Sequence, residues 1–361
     1  MAKKALIKEG TYFDSVTLMS ISKDIKAIDG VIEATIVMGT DANKEILKTA
    51  DLLVPEAEAA NANDLVIVVE GEEDVLDDAI EETNNMLAEK KSSSDDEEEY
   101  NPGSLDGAID AQPDSNLVII SVPGEYAARE ARKALKRGLH VMLFSDNVPV
   151  EDEIELKKMA TEKELLLMGP DCGTSIINGA PLAFANVVSR GPVGIVAASG
   201  TGAQAVSSLV DRQGVGLTQV IGTGGRDLKS KVKGIEMIKD MKALDRDENT
   251  EVIVLVSKPP AKEVSELIME EVKKMKKPVI VNFLGGDPSV VEGTDAIWSD
   301  NLEDAALKAA AFIKGEEEVS SAGLTEEEVN EIAAEETSNM SNDQKYLRGL
   351  FTGGTLCSEA V

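Results

Sequence analysis

The run Ser199-Gly-Thr-Gly-Ala-Gln204 concentrates the residue types that hold phosphate. It follows a buried-strand pattern directly and opens a helical one, so Gly200 and Gly202 allow a tight turn that aims successive N–H groups outward. Ser199 and Thr201 add hydroxyl donors, and the helix N-terminus adds roughly half a positive charge. Phosphate held at Ser199, Gly200, Thr201 and Gly202 is the chemical reading; a structural turn is the alternative. Two neighbouring loops carry cations. In Gly222-Thr-Gly-Gly-Arg-Asp227, Arg226 follows the glycines, and in Ser257-Lys-Pro-Pro260, Lys258 stands where a strand pattern stops. A guanidinium there suits a carboxylate or phosphate bidentately. Pairing of Arg226 with Asp227 or another acid is an equal alternative, and for Lys258 a plain surface cation is the first reading.

Other chemistry is less well supplied. Gly200, Gly202 and Ala205 match G-x-G-x-x-A, but the segment ending at Ile221 runs into Gly222-Thr-Gly-Gly where a ribose-binding acid belongs, which demotes a nicotinamide enzyme. There is no Walker lysine motif. His140, the single histidine, stands where a helix hands over to a strand, a structural place rather than a strand-end loop. Cys172, between Asp171 and Gly173, reads as packing at a tight turn before it reads as a thiolate. Cys172 and Cys357 lie too far apart, and without close partners, for a disulfide framework or a zinc site, so no metal is expected. Trp298 and few other aromatics provide no stacking platform for bases.

These loops need elements to position them. Residues 103–190 alternate strands at 117–122, 140–144 and 165–168 with helices at 126–137 and 151–161. Residues 191–314 repeat the pattern, with strands at 193–197, 217–221, 252–256 and 279–283 and helices near 202–213, 231–243, 262–275 and 301–313. Such alternation implies parallel sheets covered on both faces, with ligands at the strand carboxyl ends. Residues 1–90 form a smaller α/β or α+β module: a helix carries Leu18, Ile21, Ile25 and Ile28, strands run over 31–38 and 65–69, Asp41 caps a helix, and an acidic helix spans 75–87. Its Val37-to-Asn43 turn could hold an anion, though an ordinary capped turn is the better reading.

The chain has 361 residues and a net charge of −31, unevenly placed. Residues 70–99 carry 14 acids against Lys90 and Lys91, and residues 315–344 carry 10 acids and no base. The expectation is of acidic linkers at 91–102 and 315–345, bounding the folded pieces. The charge excludes nucleic acid and anionic membranes as partners. No apolar run approaches the roughly 20 residues that span a bilayer, and the N-terminus lacks the apolar stretch of a signal peptide. A cytoplasmic home is expected.

Taken together the loops resemble the succinyl-CoA synthetase α-subunit superfamily, and within it the FdrA family of acyl-CoA-synthetase-like proteins. The carrying stretches are Tyr12-Phe-Asp-Ser-Val-Thr-Leu-Met19, Val37-Met-Gly-Thr40, Ile120-Ser-Val-Pro-Gly-Glu-Tyr-Ala127, Gly138-Leu-His-Val-Met-Leu-Phe-Ser-Asp-Asn-Val-Pro149 and Met168-Gly-Pro-Asp-Cys-Gly-Thr174. They continue through Phe184-Ala-Asn186, Gly194-Ile-Val-Ala-Ala-Ser-Gly-Thr-Gly202, Ile221-Gly-Thr-Gly-Gly-Arg-Asp-Leu228 and Phe283-Leu-Gly-Gly-Asp-Pro288. The resemblance implies a CoA-binding-type Rossmann domain at 103–190 and a flavodoxin-like ligase domain at 191–314. It also implies that CoA would touch Val122, Pro123, Ser145, Asn147, Pro149, Pro170, Asp171 and Cys172.

Departures from the family matter as much. The family's phosphohistidine belongs after residues 279–283, where this chain has Gly285-Gly-Asp-Pro288, and Lys258 replaces a glutamate that contacts that histidine. The exchange makes Lys258 an anion ligand, with Arg226 beside it and Gly222, Thr223, Gly224 and Gly225 as a substrate loop. The glycine-rich first loop of the CoA domain is not recognisable. Residues 346–361 resemble the start of a second ligase domain and are expected to be poorly ordered or docked on a partner. The resemblance implies an oligomeric subunit, joined by companions or by a missing second ligase half. It would transfer a carbamoyl group between carbamoyl phosphate and oxamate in purine-ureide breakdown. An acyl-CoA ligase or transferase, and a non-catalytic assembly subunit, are the alternatives.

Overall fold

Residues 2–92, 102–316, 324–341, 343–344, 346 and 348–361 are described in a computed structural model of the chain. The chain divides into two units, Met1–Asn101 and Pro102–Val361.

In the first unit the elements run β1 (Ala2–Lys8), α1 (Ser15–Lys26), β2 (Val31–Met38), α2 (Asp41–Thr49), α3 (Pro55–Ala59), β3 (Leu65–Gly71) and α4 (Leu76–Ser92). β3 lies between β1 and β2 and is antiparallel to both, so β1, α1 and β2 form a split crossover around it. Leu65, Ile67 and Val69 pack under α1 and α4, while Val66 and Val68 pack against Leu47, Leu52, Ala57 and Ala60 of α2, α3 and their flanks. Burial on both faces explains why this strand reads as an unbroken apolar run. The cap of α2 lies one residue before the expected one: the hydroxyl of Thr40, not Asp41, accepts the Asn43 N–H at 3.3 Å. The Val37-to-Asn43 turn is thus an ordinary capped turn.

The second unit begins with α5 (Leu105–Ala111), then β4 (Leu117–Ile120), α6 (Gly124–Lys136), β5 (His140–Leu143), α7 (Val150–Glu162) and β6 (Leu167–Met168). The three strands form a parallel sheet in the order β4-β5-β6. The alanine face of α6 and Leu156 and Ala160 of α7 bury Val141 and Leu143. Next come β7 (Thr174–Ile177), β8 (Ala180–Ala183), β9 (Arg190–Ala197), α8 (Gly200–Arg212), β10 (Leu217–Gly222), α9 (Ile235–Arg246), β11 (Val252–Ser257), α10 (Lys262–Val272), β12 (Val279–Phe283), β13 (Ile297–Trp298) and α11 (Leu302–Lys314). Seven strands pair in the order β13-β12-β11-β9-β10-β7-β8. From β13 to β10 they are parallel, and β7 and β8 add an antiparallel edge. Along β11, Ile253 and Leu255 face α9 and α10 while Val252, Val254 and Val256 face α8 and α11, so the sheet is covered on both sides.

Three expectations need correction. β7 and β8 belong to the seven-stranded sheet, so the boundary placed at 190 moves ahead of Thr174, and residues 102–361 hold together as one compact unit. Asn178 and Gly179, with φ of 52° and 81°, make the two-residue turn that pairs these strands. Within the acidic stretch 315–345, α12 (Glu326–Ser338) is helical and wholly unburied, started by a capping box between Thr325 and Glu328. Finally, α13 (Gly354–Ala360) is ordered and packs against α8 of the same chain. Of the expected linker at 91–102, residues 93–101 lie outside the described residues. Among the described residues no helix is long and apolar enough to cross a membrane.

Candidate functional site

The strand carboxyl ends of both sheets open on one cavity of about 1090 Å³. Its wall takes residues 121–125 after β4, 144–147 after β5 and 171–174 after β6. From the larger sheet it takes residues 197–201 after β9, Gly222, Gly224 and Gly225 after β10 and Lys258 after β11. Residues 352–355 at the start of α13 complete it.

The phosphate-type loop is built as its residue types require. Ser199 caps α8 by accepting the Gly202 N–H at 3.0 Å, which leaves Gly200 and Thr201 on the cavity side of the turn; Gly202 itself is buried outside the wall with its N–H taken, so its assignment to the phosphate is corrected. A Cβ at Gly202 would lie 2.7 Å from Ser199 Oγ and 2.9 Å from Val256, so no larger residue fits. Across the cavity mouth, Ser199 Oγ and Thr355 Oγ1 share a hydrogen bond of 2.6 Å, and Thr355 is buried. Gly353 sits so close to Thr201 that a Cβ would come within 2.6 Å of it. Leu356 packs on the α8–α11 cluster, and Glu359 accepts the Leu302 N–H at 2.8 Å. These contacts seat residues 353–360 on their own chain, where poor order was expected.

The two expected cations part company. Lys258 is exposed, lines the cavity and has no ion-pair partner among the described residues. Arg226 is outside the cavity lining: its Nη2 lies 3.0 Å from Glu153 Oε2 and donates to the Val148 carbonyl at 2.8 Å. Its assignment as an anion ligand is therefore corrected, because the buried carboxylate of Glu153 already holds it. Thr223 is also withdrawn from the substrate loop. It is fully buried, its N–H donating to Ala197 O and its carbonyl accepting from Lys157. Gly222, Gly224 and Gly225 remain in the wall, and Gly224, at φ 84°, leaves its Cβ position 2.1 Å from the Pro170 carbonyl.

Of the residues that the resemblance assigns to CoA, Val122, Pro123, Ser145, Asn147, Asp171 and Cys172 line the cavity, whereas Pro149 and Pro170 do not. Pro149 instead precedes α7 as its cap residue, and Pro170 packs against Gly224. The Ser145 hydroxyl donates to Val122 O at 2.5 Å, tying two of these loops together. Burial pushes the Cys172 thiol up, and its sulfur rests 3.4 Å from Ser175 Oγ, so it packs and is not poised as a thiolate. Burial and then Asp146 raise the Asp171 carboxyl, with Arg226 opposing. This side of the wall contributes Glu125, Asp146 and Asp171 and no Lys or Arg. It suits the neutral arm of CoA and offers no cation to its phosphates.

Sequence reasoning missed Phe144, Thr174, Phe184 and Gln204 in the wall. The two phenylalanine rings meet edge to face with centroids 5.4 Å apart, and Gln204 Nε2 donates to Thr174 Oγ1 and to Phe184 O. The Asn178-Gly179 turn signal would have revealed the hairpin that brings Thr174 and Phe184 there. His140 is not in this wall; its Nδ1 accepts the Leu166 N–H at 2.9 Å, and burial, then Lys239, lowers its pKa, a structural role as expected.

Comparison with known proteins gives two family matches. Residues 1–102 match the family described as AllF, heavy metal-associated domain, and residues 188–285 match the CoA binding domain. The second falls on β9 to β12, the stretch read above as the ligase-like domain. Heavy-metal ions are held mainly by thiolate and imidazole ligands, yet residues 1–102 contain neither Cys nor His. Among the described residues no three His, Cys, Asp or Glu converge as a metal site, so this module does not fit a heavy metal. The succinate–CoA ligase [ADP-forming] subunit alpha 2 of Archaeoglobus fulgidus is 28% identical over 47% of this chain and 58% of its own. The crystal structure of PH0766 from Pyrococcus horikoshii OT3 is similar with a TM-score of 0.46 and 20% identity, over 55% of this chain and 48% of that one. The uncharacterized protein YahF of Escherichia coli K12 is 45% identical over 100% of this chain, which spans 69% of it. The chain belongs to the family of YahF, within the succinyl-CoA ligase α-subunit superfamily.

Proposed function

We propose that the chain is an FdrA-like subunit of a transferase that holds an acyl or carbamoyl phosphate without a covalent intermediate on histidine. The observation that carries this reading is the meeting, in one cavity, of the Ser199-to-Thr201 turn, the ammonium of Lys258, which has no ion-pair partner among the described residues, and the 352–355 segment. A small dianion needs few charges and many directed donors, and this end of the cavity supplies them. The single histidine, His140, is outside the wall, so a phosphohistidine relay has no residue to run on here.

In the finer reading the donor is carbamoyl phosphate and the acceptor oxamate. The acceptor nitrogen attacks the carbonyl carbon and loses a proton, which the departing phosphate takes up. The bond from that carbon to the bridging oxygen breaks, and phosphate leaves with the electron pair. Lys258 and the N–H groups at the start of α8 stabilise the charge that gathers on the leaving phosphate, and the cavity wall holds the two reactants in line. Companion subunits in an oligomer complete the acceptor side. The test is carbamoyl-phosphate turnover by the chain with its companions. Lys258→Ala is expected to abolish most of it, and unchanged turnover would overturn the assignment.

A second reading, an acyl-CoA ligase or transferase, is favoured by the CoA binding domain match and by the loops at 122–123, 145–147 and 171–172 in the wall. It predicts CoA binding by calorimetry. The acids on that side predict in turn that CoA gains little over pantetheine, its uncharged arm; no heat with either molecule removes this reading.

A further inference from the structure

A group of charged side chains between α7 and α9 is left unused by the proposed function. Lys157 of α7 is fully buried. Its ammonium lies 2.7 Å from Asp227 Oδ1 and 3.0 Å from Glu153 Oε1, and it donates to the Thr223 carbonyl at 2.9 Å. Three acceptors thus face its three N–H donors. The other oxygen of Glu153 holds Arg226, and Asp227 accepts the N–H groups of Glu236 at 3.2 Å and Met237 at 2.9 Å, free donors in the first turn of α9. Every one of these bonds ends on the 222–227 loop, on α7 or on α9.

Burying such charges is costly, and apolar packing of similar volume is often as stable. What the charges add is direction. Beyond the Thr223 N–H, which still bonds Ala197 O of β9, the loop leaves its ladder, and Lys157 fixes the Thr223 carbonyl while Glu153 fixes Arg226 three residues later. Between these two anchors lie Gly224 and Gly225, which form part of the cavity wall. We propose that Lys157 and Glu153 are positioning residues for the ligand cavity, α7 holding the glycine wall of the neighbouring sheet in its binding geometry. The proposal rests on reading the cavity as the ligand site.

Glu153→Gln in the full chain tests it, since the amide keeps the size and removes the charge shared by Lys157 and Arg226. Hydrogen exchange is measured without ligand, and binding of inorganic phosphate and of CoA by calorimetry well below the melting transition. The expected result is faster exchange of the 224–227 amides with β9 and β11 unchanged, and binding about tenfold weaker. A general loss of stability alone would move neither. Should Glu153→Gln fail to fold, Arg226→Gln, whose side chain is 36% exposed, releases the same end of the loop and is read in the same way. A folded variant with wild-type loop exchange overturns the proposal. Wild-type protein that binds neither probe overturns the cavity reading, while the ligand-free exchange still decides whether α7 holds the loop.

Discussion

Arg226 and Lys258 stand after β10 and β11, strands that flank β9 in the same sheet, and both follow residue patterns that suit anion binding. One is tied by a buried carboxylate and a backbone carbonyl; the other lines the cavity with no acid paired to it among the described residues. The difference lies in what α7 presents. Glu153 and Lys157 sit one helical turn apart and reach the β10 loop, where Glu153 captures the arginine, and among the described residues nothing comparable reaches Lys258. A cation at a strand end is thus a ligand residue or a structural one according to the helix opposite, which its own loop does not reveal.

The contrast breaks most visibly at Lys157. Lys157→Met leaves Glu153 and Asp227 buried beside no ammonium, and chemical denaturation should register a loss of about 3–5 kcal/mol. A loss near zero would mean that the tied loop owes little to the ion cluster. Lys258→Ala should do the opposite: stability stays within about 0.5 kcal/mol, while phosphate affinity in calorimetry drops about 10- to 100-fold, as expected for a charged hydrogen bond worth about 1.5–3 kcal/mol. For Arg226→Ala the ranking reverses, with stability down about 1–2 kcal/mol and affinity changed less than in Lys258→Ala. If the two variants behave alike, the distinction drawn between the cations is wrong.

The cluster behind the tied loop also sets a pH dependence. Burial, then Glu236, holds the Asp240 carboxyl well above its ordinary 3.8, against the ammonium groups of Lys239 and Lys157 and with Asp227 adding to the rise. The folded chain keeps a proton that the unfolded chain releases above that value. Stability from this group therefore falls as pH rises from there toward the folded pKa, by at most about 1.4 kcal/mol per pH unit. Asp240→Asn should flatten that fall, gaining on the wild type as pH rises above about 4 and converging with it in stronger acid. Parallel denaturation midpoints across that range would show that Asp240 is already ionised. The smallest effect is expected in the first unit: with no Cys or His in residues 1–102, the Cys357→Ser chain should take up no stoichiometric copper(I) or cadmium by mass spectrometry of the dialysed protein.

The parallel strands and their helices were legible because their burial is periodic: Ile253 and Leu255 alternate with Val252, Val254 and Val256 between two covered faces. The cavity-forming loops were legible for the same reason, since they fall where those runs end. β1 was not, because three lysines interrupt a seven-residue edge strand. β7 and β8 were short, although the Asn178-Gly179 turn between them carried a usable signal. The role of Arg226 was hidden for a different reason. Glu153 and Lys157, spaced four apart, read as a solvated helix face, and only the packing of α7 against the β10 loop and α9 makes them interior. The likeness of residues 346–361 to the start of a ligase domain was visible, but the seat of Thr355 on Ser199 depends on tertiary contacts that no local pattern records.

That seat has a consequence for how the cavity closes. Thr355 meets Ser199 across 156 positions of the same chain. Tethered partners encounter each other at an effective concentration on the order of millimolar, whatever the dilution of the protein. One cut between α11 and α13 would remove no atom from the wall, yet it would turn closure from a property of the molecule into a bimolecular event that fades on dilution.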